Sequence, residues 1–219
     1  MDNTSKIIYC ISGLGADEKA FSKLKINDYE LKVIPWLLPQ QDETLQEYAG
    51  RMRKNIKNDN PILMGLSFGG MVSIEIARQI PVQKIILISS IKTKDELPSW
   101  MKIIAKTRLN KIYPMRPHKI TAPLQNFMLG LLSKEEKEMV AESRKKADIN
   151  YTNWAVNQAI NWKNDSIPTK IFHIHGDHDK MFPINKIKAD ELIINGGHFM
   201  IMNMADRVSS AINRWLATI

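Results

Sequence analysis

Ser67 lies in a stretch whose glycine spacing suits a nucleophilic serine. The residues GLSFGG (65–70) fit the pattern G-x-S-x-G, follow an apolar run and open a helical pattern. A serine on such a tight strand-to-helix turn is held in a strained backbone conformation, and glycines two residues to either side leave room for close approach. The amide of Phe68, at the helix start, would face developing negative charge. The stretch predicts a nucleophile at Ser67; the alternative is an ordinary N-cap serine.

The stretch HIHGDHDKMFP (173–183) allows two incompatible interpretations. As H-x-H-x-D-H it offers His173, His175, Asp177 and His178 as ligands for one or two zinc ions, and as a string it resembles the metal motif of metallo-β-lactamase-fold enzymes. As an apolar strand ending in a Gly-Asp turn, it places one carboxylate at a strand tip. The first interpretation predicts a metallohydrolase, and the second predicts a serine hydrolase.

The rest of the chain favours the strand. Only about forty residues follow His178, and they hold one histidine, His198, whereas a dinuclear site needs several further ligands downstream. In the strand, His173 and His175 alternate with Ile174, so they share a face as ordinary packed histidines. The zinc site stays as the alternative. His118, further upstream, is expected at the surface.

The elements that must position these residues follow one another as strand and helix. Apolar runs rich in β-branched residues predict six strands, at 6–12, 30–36, 61–67, 84–90, 169–175 and 188–194. Helical patterns at 44–57, 68–80 and 200–216 lie between or after them, the first with a capping box at Thr44 and Glu47. Most of the runs are continuously apolar, as in strands covered on both faces. We predict an open, mostly parallel six-stranded α/β sheet with helices on both faces.

One interval interrupts this alternation. Nearly eighty residues separate the fourth and fifth strands, and a structureless loop of that length is improbable in a compact domain. Helical patterns occur at 99–109, 123–132, 133–146 and 152–162. We therefore predict a core domain of residues 1–91 and 166–219 and an inserted helical cap of residues 92–165. Some of its large apolar side chains are candidates to line an apolar pocket, the alternative being that they pack one helix against another: Trp100, Phe127, Met128, Trp154 and Trp162.

Composition excludes several classes of protein. The chain is 44% apolar and 25% charged, as in globular proteins, and its single cysteine, Cys10, excludes an internal disulfide framework. No apolar run approaches the ~20 residues that span a bilayer. The start, MDNTSK, lacks the features of a secretory signal, so we expect a cytoplasmic protein without a membrane partner.

The net charge of +8 is concentrated in one segment. Between Lys92 and Asp165 there are 14 Lys and Arg against 8 Asp and Glu. No arginine-rich arm, zinc finger or aromatic RNA-binding motif accompanies this excess, so a solvated basic face is favoured over nucleic-acid binding. Such a face is also suited to attract an acidic small-molecule substrate.

With these motifs, the chain resembles members of the α/β-hydrolase superfamily over its whole length apart from the insertion. The family order is nucleophile, acid, histidine, and the matching positions are Ser67, Asp179 in GDHD and His198 in GGHF. Family members usually place the acid three residues after the strand-terminal glycine, which selects Asp179 over Asp177. We expect Asp177 to cap or brace the turn.

The resemblance also implies an oxyanion hole at the end of the first strand. In SGLGADEKAF (12–21) the family pattern assigns the second donor to the amide of Leu14, beside that of Phe68. The chain departs from the pattern at Ser12, where histidine is common, so the hydrogen bonds that support this turn must differ. The alternative is a glycine-rich turn with no role.

We therefore expect a serine hydrolase of a small ester, thioester or related acyl substrate. In this interpretation Ser67 attacks, His198 relays its proton and Asp179 fixes the imidazole tautomer. Neither a cofactor nor a metal is implied, and the oligomeric state is left open. Two alternatives remain: a catalytically idle scaffold that binds a small molecule, and a lyase or C–C hydrolase on the same triad.

Overall fold

A computed structural model describes residues 6–108 and 121–218. Within them, six parallel strands form one sheet, in the spatial order β2-β1-β3-β4-β5-β6. The strands are β1 (Lys6–Ile11), β2 (Tyr29–Val33), β3 (Ile62–Leu66), β4 (Lys84–Ile88), β5 (Ile171–Gly176) and β6 (Glu191–Ile193). The predicted six-stranded α/β sheet is confirmed, and all of its strand pairs are parallel.

The sequence of each strand matches its place in the sheet. The central strands β3 and β4 are buried along their whole length, whereas the edge strand β2 alternates between half-buried and exposed residues. Continuous burial requires cover on both faces, which is why ILMGL and KIILI contain almost no polar residue. β6 is shorter than the predicted strand at 188–194: it begins only at Glu191 and ends at Ile193, just before a turn at Asn195, which has a φ of 62°.

Helices cover both faces of this sheet. On one face lie α1 (Leu45–Met52) and α2 (Phe68–Ala77), and on the other lie α7 (Met200–Asn203) and α8 (Ala205–Leu216). The predicted capping box of α1 is present: Thr44 Oγ1 accepts from the amide of Glu47, and the Glu47 carboxylate accepts from the amide of Thr44. The predicted last helix is divided at Met204, whose φ of −131° is not helical.

The described parts of the interval between β4 and β5 are largely helical, as predicted. It contains α3 (Ser99–Thr107), α4 (Ala122–Leu129), α5 (Lys134–Lys146) and α6 (Ile149–Ile160). Gly130, at a φ of 71°, ends α4, and Ser133 caps α5 through a capping box with Glu136. His118 lies outside the described residues. No helix within residues 6–108 and 121–218 is long and apolar enough to cross a membrane.

The last inserted helix packs into the hydrophobic core of the sheet. Tyr151, Ala155 and Trp162 belong to the same buried cluster as residues of α1 and α2. Trp162 Nε1 donates to Glu75 Oε1 of α2 at 2.7 Å, and both side chains are buried. α6 therefore shares a core with the sheet, and the domain division at residues 92 and 165 remains a prediction.

Candidate active site

Ser67 lies on a sharp turn between β3 and α2. Its φ of 52° and ψ of −121° fall in a region of backbone conformation that residues other than glycine rarely adopt. An added Cβ at Gly65 would lie 2.4 Å from Gly70 Cα, and one at Gly69 would lie 2.2 Å from the Ile11 carbonyl oxygen. Both glycines are needed because the start of α2 passes directly against the backbone of β1 and β3.

Hydrogen bonds to β4 hold this strained turn in place. The amide of Ser67 donates to the Ile88 carbonyl at 3.0 Å, and Ser90 Oγ donates to the Ser67 carbonyl at 2.7 Å. An added Cβ at Gly70 would lie 2.2 Å from Ser90 Oγ, so Gly70 makes room for that hydroxyl. Sequence reasoning missed Ser90. Its only signal was its position directly after the end of an apolar strand.

The three residues predicted as a triad come together at the carboxyl edge of the sheet. His198 Nε2 lies 2.9 Å from Ser67 Oγ, and His198 Nδ1 lies 2.8 Å from Asp179 Oδ2. The carboxylate can only accept, so Nδ1 carries the proton and Nε2 is left to accept from the Ser67 hydroxyl. This tautomer allows His198 to take a proton from Ser67. His198 and Asp179 are buried, while Ser67 is partly accessible.

Asp179 is held as a carboxylate despite its burial. Its Oδ1 accepts from the amides of Met181 at 2.8 Å and Phe182 at 2.9 Å. Burial by itself raises the pKa of Asp179. The nearby imidazole of His198, its hydrogen bond, and His175 outweigh burial and bring that pKa below its ordinary value. The acid is therefore ionised at neutral pH and points both oxygens at donors.

Asp177, the competing carboxylate, makes no contact of this kind. Its amide donates to the Ile193 carbonyl at 3.4 Å, but its Oδ1 is buried and has no hydrogen-bond partner in the described part of the chain. The side-chain hydrogen bond expected to brace the turn is therefore not seen at Oδ1. His178, beside it, is exposed.

The other two histidines of this stretch, His173 and His175, are fully buried in β5. His173 and His175 are both 0% exposed, and their rings meet edge to face with centroids 5.3 Å apart. Burial lowers the pKa of both, so both are neutral at pH 7. Across residues 6–108 and 121–218, no three His, Cys, Asp or Glu side chains cluster as a metal site would require.

The turn after β1 lies alongside the nucleophile. An added Cβ at Gly13 would lie 3.3 Å from Ser67 Cβ, so Gly13 packs closely against Ser67. Leu14 is the next residue along the chain. The amide of Phe68 is the first in α2, where no intrahelical acceptor exists. Both segments are thus next to Ser67 in the structure, and the role of the two amides as oxyanion donors stays a prediction.

The departure at Ser12 is accommodated by a different set of bonds. Ser12 is buried, accepts a hydrogen bond from Trp36 Nε1 at 2.8 Å and donates to the Ala16 carbonyl at 2.8 Å. The Trp36 ring in turn stacks on that of Phe68, with centroids 5.8 Å apart. Ser12 and Trp36 therefore support the turn. Sequence reasoning did not single out Trp36, because its contacts with Ser12 after β1 and with Phe68 at the start of α2 arise only when these distant segments pack together.

The inserted helices reach this edge of the sheet at the histidine loop. The amide of Phe199, next to His198, donates to the Leu129 carbonyl at the end of α4 at 2.9 Å. Lys180 Nζ lies 3.4 Å from the centre of the Phe127 ring on the same helix. α4 thus contacts the residues that directly follow Asp179 and His198.

The predicted pocket residues of the insertion fall into different environments. Trp162 is buried in the core, and Trp154 is partly buried, with its ring centroid 4.4 Å from that of Tyr48. Trp100 and Phe127 are exposed, at 38% and 58% of their surface. The five candidates do not form one apolar cluster, so which residues contact an acyl group remains a prediction.

Comparison with known proteins assigns the fold. No protein-family model matches the chain, and no curated protein matches it. An esterase from Thermogutta terrifontis matches with a TM-score of 0.76 at 17% identity, over 98% of this chain and 90% of the esterase. MenH from S. aureus matches with a TM-score of 0.74 at 18% identity, over 98% and 94% of the two chains. Bromoperoxidase from Bacillus anthracis matches with a TM-score of 0.68 at 16% identity, over 98% and 92%.

These structures share one architecture with this protein: the chain has the α/β-hydrolase fold. Identities below one fifth establish the fold and nothing finer. What the site does must be argued from its own residues.

Proposed function

We propose that the protein is a serine hydrolase that cleaves a small ester, thioester or related acyl substrate. The observation that supports this most strongly is the unbroken chain of contacts from Ser67 Oγ through the His198 ring to Asp179 Oδ2, at 2.9 and 2.8 Å. A nucleophile, a base and an orienting acid in hydrogen-bond reach are what acyl transfer requires. The esterases among the solved structures with this fold agree with such a role.

The reaction we propose has two halves. Ser67 Oγ attacks the acyl carbon while its proton passes to His198 Nε2, and the amides of Leu14 and Phe68 donate to the oxygen that becomes negative. The bond to the leaving alcohol or thiol breaks as that group takes the proton from His198. Water, deprotonated by the same nitrogen, then attacks the acyl carbon. The bond from that carbon to Ser67 Oγ breaks as Oγ takes the proton back from His198, which releases a carboxylic acid and restores the serine. Asp179 stabilises the imidazolium at each step.

The substrate we propose is a small acyl compound, and an acidic one would be drawn to the basic excess of the insertion. The burial of His198 and Asp179 supports chemistry away from bulk water. No cofactor enters any step.

A lyase or C–C hydrolase on the same triad is the second candidate. Solved structures with this fold that are not called esterases, namely MenH and a bromoperoxidase, favour it. A shared fold and triad do not decide which bond breaks. A catalytically idle scaffold is the third, and the strained Ser67 backbone argues against it, because such strain is costly to retain without use.

Labelling with a fluorophosphonate probe tests the nucleophile. We expect the native protein to be labelled at Ser67, as located by peptide mapping, and Ser67→Ala to be unlabelled. Ser73→Ala is a matched control, because Ser73 is a buried serine of α2 whose hydroxyl donates to the Gly69 carbonyl and to no other group among residues 6–108 and 121–218. Labelling that persists in Ser67→Ala, or its absence in folded native protein, contradicts the assignment.

Turnover of a panel of p-nitrophenyl esters and acyl thioesters separates the candidates. Hydrolysis of at least one panel member that is lost in Ser67→Ala is expected for an ester or thioester hydrolase. Labelling at Ser67 without turnover of any panel member would favour the lyase or C–C hydrolase.

A further inference from the structure

His175 is a fully buried side chain that the proposed chemistry does not use. It lies at the carboxyl end of β5, four residues before Asp179, and none of its surface is exposed. Its Nε2 lies 2.8 Å from the Phe182 carbonyl oxygen and 3.5 Å from Asp179 Oδ2. A carbonyl and a carboxylate both accept, so the neutral ring carries its proton on Nε2. His175 therefore donates into the loop that holds the acid.

The loop from Asp179 to Phe182 connects two members of the predicted triad, Asp179 and His198, to the His175 donor. The amide of Phe182 donates to Asp179 Oδ1 at 2.9 Å, which fixes one oxygen of the acid. The Phe182 ring meets the His198 ring edge to face, with centroids 5.5 Å apart. Phe182 thus contacts the acid through its backbone and the base through its side chain. A single bond to its carbonyl constrains both.

We propose that His175 is a positioning residue of the active site, which anchors residues 179–182 through the Phe182 carbonyl and thereby sets the orientation of Asp179 and His198. The expected change in kcat rests on the proposed hydrolase function. The expected change in the hydrogen bond between Asp179 and His198 does not depend on that function.

His173 supplies the contrast that makes this testable. It lies two residues earlier on the same strand and the same face, and it is also 0% exposed. Neither of its ring nitrogens makes a hydrogen bond to residues 179–182 in the described part of the chain, and the only backbone group that affects its pKa there is that of Ser90. A substitution at His173 therefore changes the packing of a buried imidazole without removing a bond to the acid loop.

The experiment compares four variants with the native protein. His175→Phe keeps an aromatic ring but removes the donor. His175→Gln places an amide N–H near the position of Nε2, whereas the shorter amide of His175→Asn cannot reach the Phe182 carbonyl. His173→Phe is the matched control. All four are first compared by thermal unfolding.

Proton NMR reads the triad directly, through the low-field resonance of the His198 Nδ1 proton, assigned by its loss in Asp179→Asn. We expect His175→Phe to shift or broaden this resonance, and His175→Gln and His173→Phe to leave it in place. An unaltered resonance in His175→Phe overturns the proposal, as does an equal change in His173→Phe. If His175→Phe does not fold, a resonance retained in Gln and altered in Asn supports the proposal, and identical spectra for those two overturn it.

Ester turnover provides the second readout. We expect His175→Phe to lower kcat by about 10–100-fold with KM within about twofold, because displacement of a catalytic group by about 1 Å has effects of that size. His175→Gln should recover most of kcat. A loss in KM alone, or the same loss of kcat in His173→Phe, contradicts a positioning role. A protein that turns over no ester or thioester of the panel but shows the expected NMR pattern would contradict the hydrolase proposal and support this one.

Discussion

Two aspartates two residues apart have opposite surroundings at this site. Asp179 accepts from two amides and from His198 Nδ1, and these donors hold its pKa below the ordinary value although burial opposes them. Asp177 Oδ1 is buried without a partner among the described residues. The acid of a triad must stay ionised to stabilise a neighbouring imidazolium, and only Asp179 is surrounded by the donors that do this.

Replacing Asp179 by asparagine should therefore be severe. Asp179→Asn keeps the shape of the side chain but presents an amide that favours the wrong His198 tautomer. We expect turnover to fall about 10³–10⁴-fold, or about 4–5.5 kcal/mol of transition-state stabilisation, with one ester substrate. Asp177→Asn is the matched control and should change turnover little.

The same pair of variants separates the triad from the zinc interpretation. A zinc site would lose activity in Asp177→Asn and His173→Ala, and on dialysis against a strong chelator. Chelator-sensitive activity with a nearly normal Asp179→Asn would refute the triad. The expected result is activity that survives dialysis.

At the scale of elements, the position of Ser67 depends on how closely α2 approaches the sheet. The first residues of α2 are buried, and the helix begins against the carbonyl groups at the end of β1. Ser90 and Ile88, on or after β4, hold the turn from the other side. The position of Ser67 Oγ is thus set by three strands and one helix.

Gly69→Ala tests this close approach. An added Cβ would meet the carbonyl oxygens of Ile11 and Ser12 at 2.2 and 2.4 Å, and backbone atoms cannot move aside as a flexible side chain does. We expect a loss of about 1–3 kcal/mol in the free energy of unfolding, measured with urea, together with slower probe labelling at Ser67.

Gly50→Ala is the control for that variant. Gly50 lies inside α1, and its added Cβ would approach only the end of the Gln79 side chain, at 3.0 Å. Alanine favours a helix over glycine by about 0.5–1 kcal/mol, so this change should be neutral or slightly stabilising. Equal losses in the two variants would show that close packing of α2 is not the cause.

At the scale of the whole molecule, the two sealed histidines of β5 couple stability to pH. Burial lowers the pKa of His173 and His175 below their ordinary value of 6.5, so each stays neutral in the folded protein at a pH where the unfolded chain binds a proton. The unfolded state then holds more protons than the folded state. Stability is therefore full above pH 6.5 and falls as the pH drops below it.

Urea unfolding between pH 7 and pH 5 measures this coupling. We expect the free energy of unfolding to decrease below pH 6.5, with a slope of up to about 1.4 kcal/mol per pH unit for each histidine. His173→Phe should reduce that slope by about one histidine's share. The lowered pKa of Asp179 acts in a separate window, because its contribution is lost only as the pH falls below about 3.8. A slope unchanged in His173→Phe would contradict the assignment to these residues.

The parts of the protein that follow from local patterns could be predicted from the amino-acid sequence. Six apolar runs, the capping box at Thr44 and the glycine spacing around Ser67 indicated the strands, a helix start and the turn, because each depends on neighbours within a few residues. The parallel order of the strands then placed their carboxyl ends at one edge, where the family resemblance indicated Asp179 and His198.

Only the tertiary structure decided which side chains meet at that edge. Ser67 and His198 are 131 residues apart, and their contact at 2.9 Å depends on how α2, β6 and the loops between them pack. No local signal distinguishes Ser90, Trp36, Phe182 or the bond from His175 to the Phe182 carbonyl. A serine or a histidine at the end of a strand has the same neighbours in sequence whether or not it supports a site. Periodicity reports which face a residue occupies, whereas a hydrogen bond needs donor and acceptor within about 3 Å, a precision that arises from packing across the whole sheet.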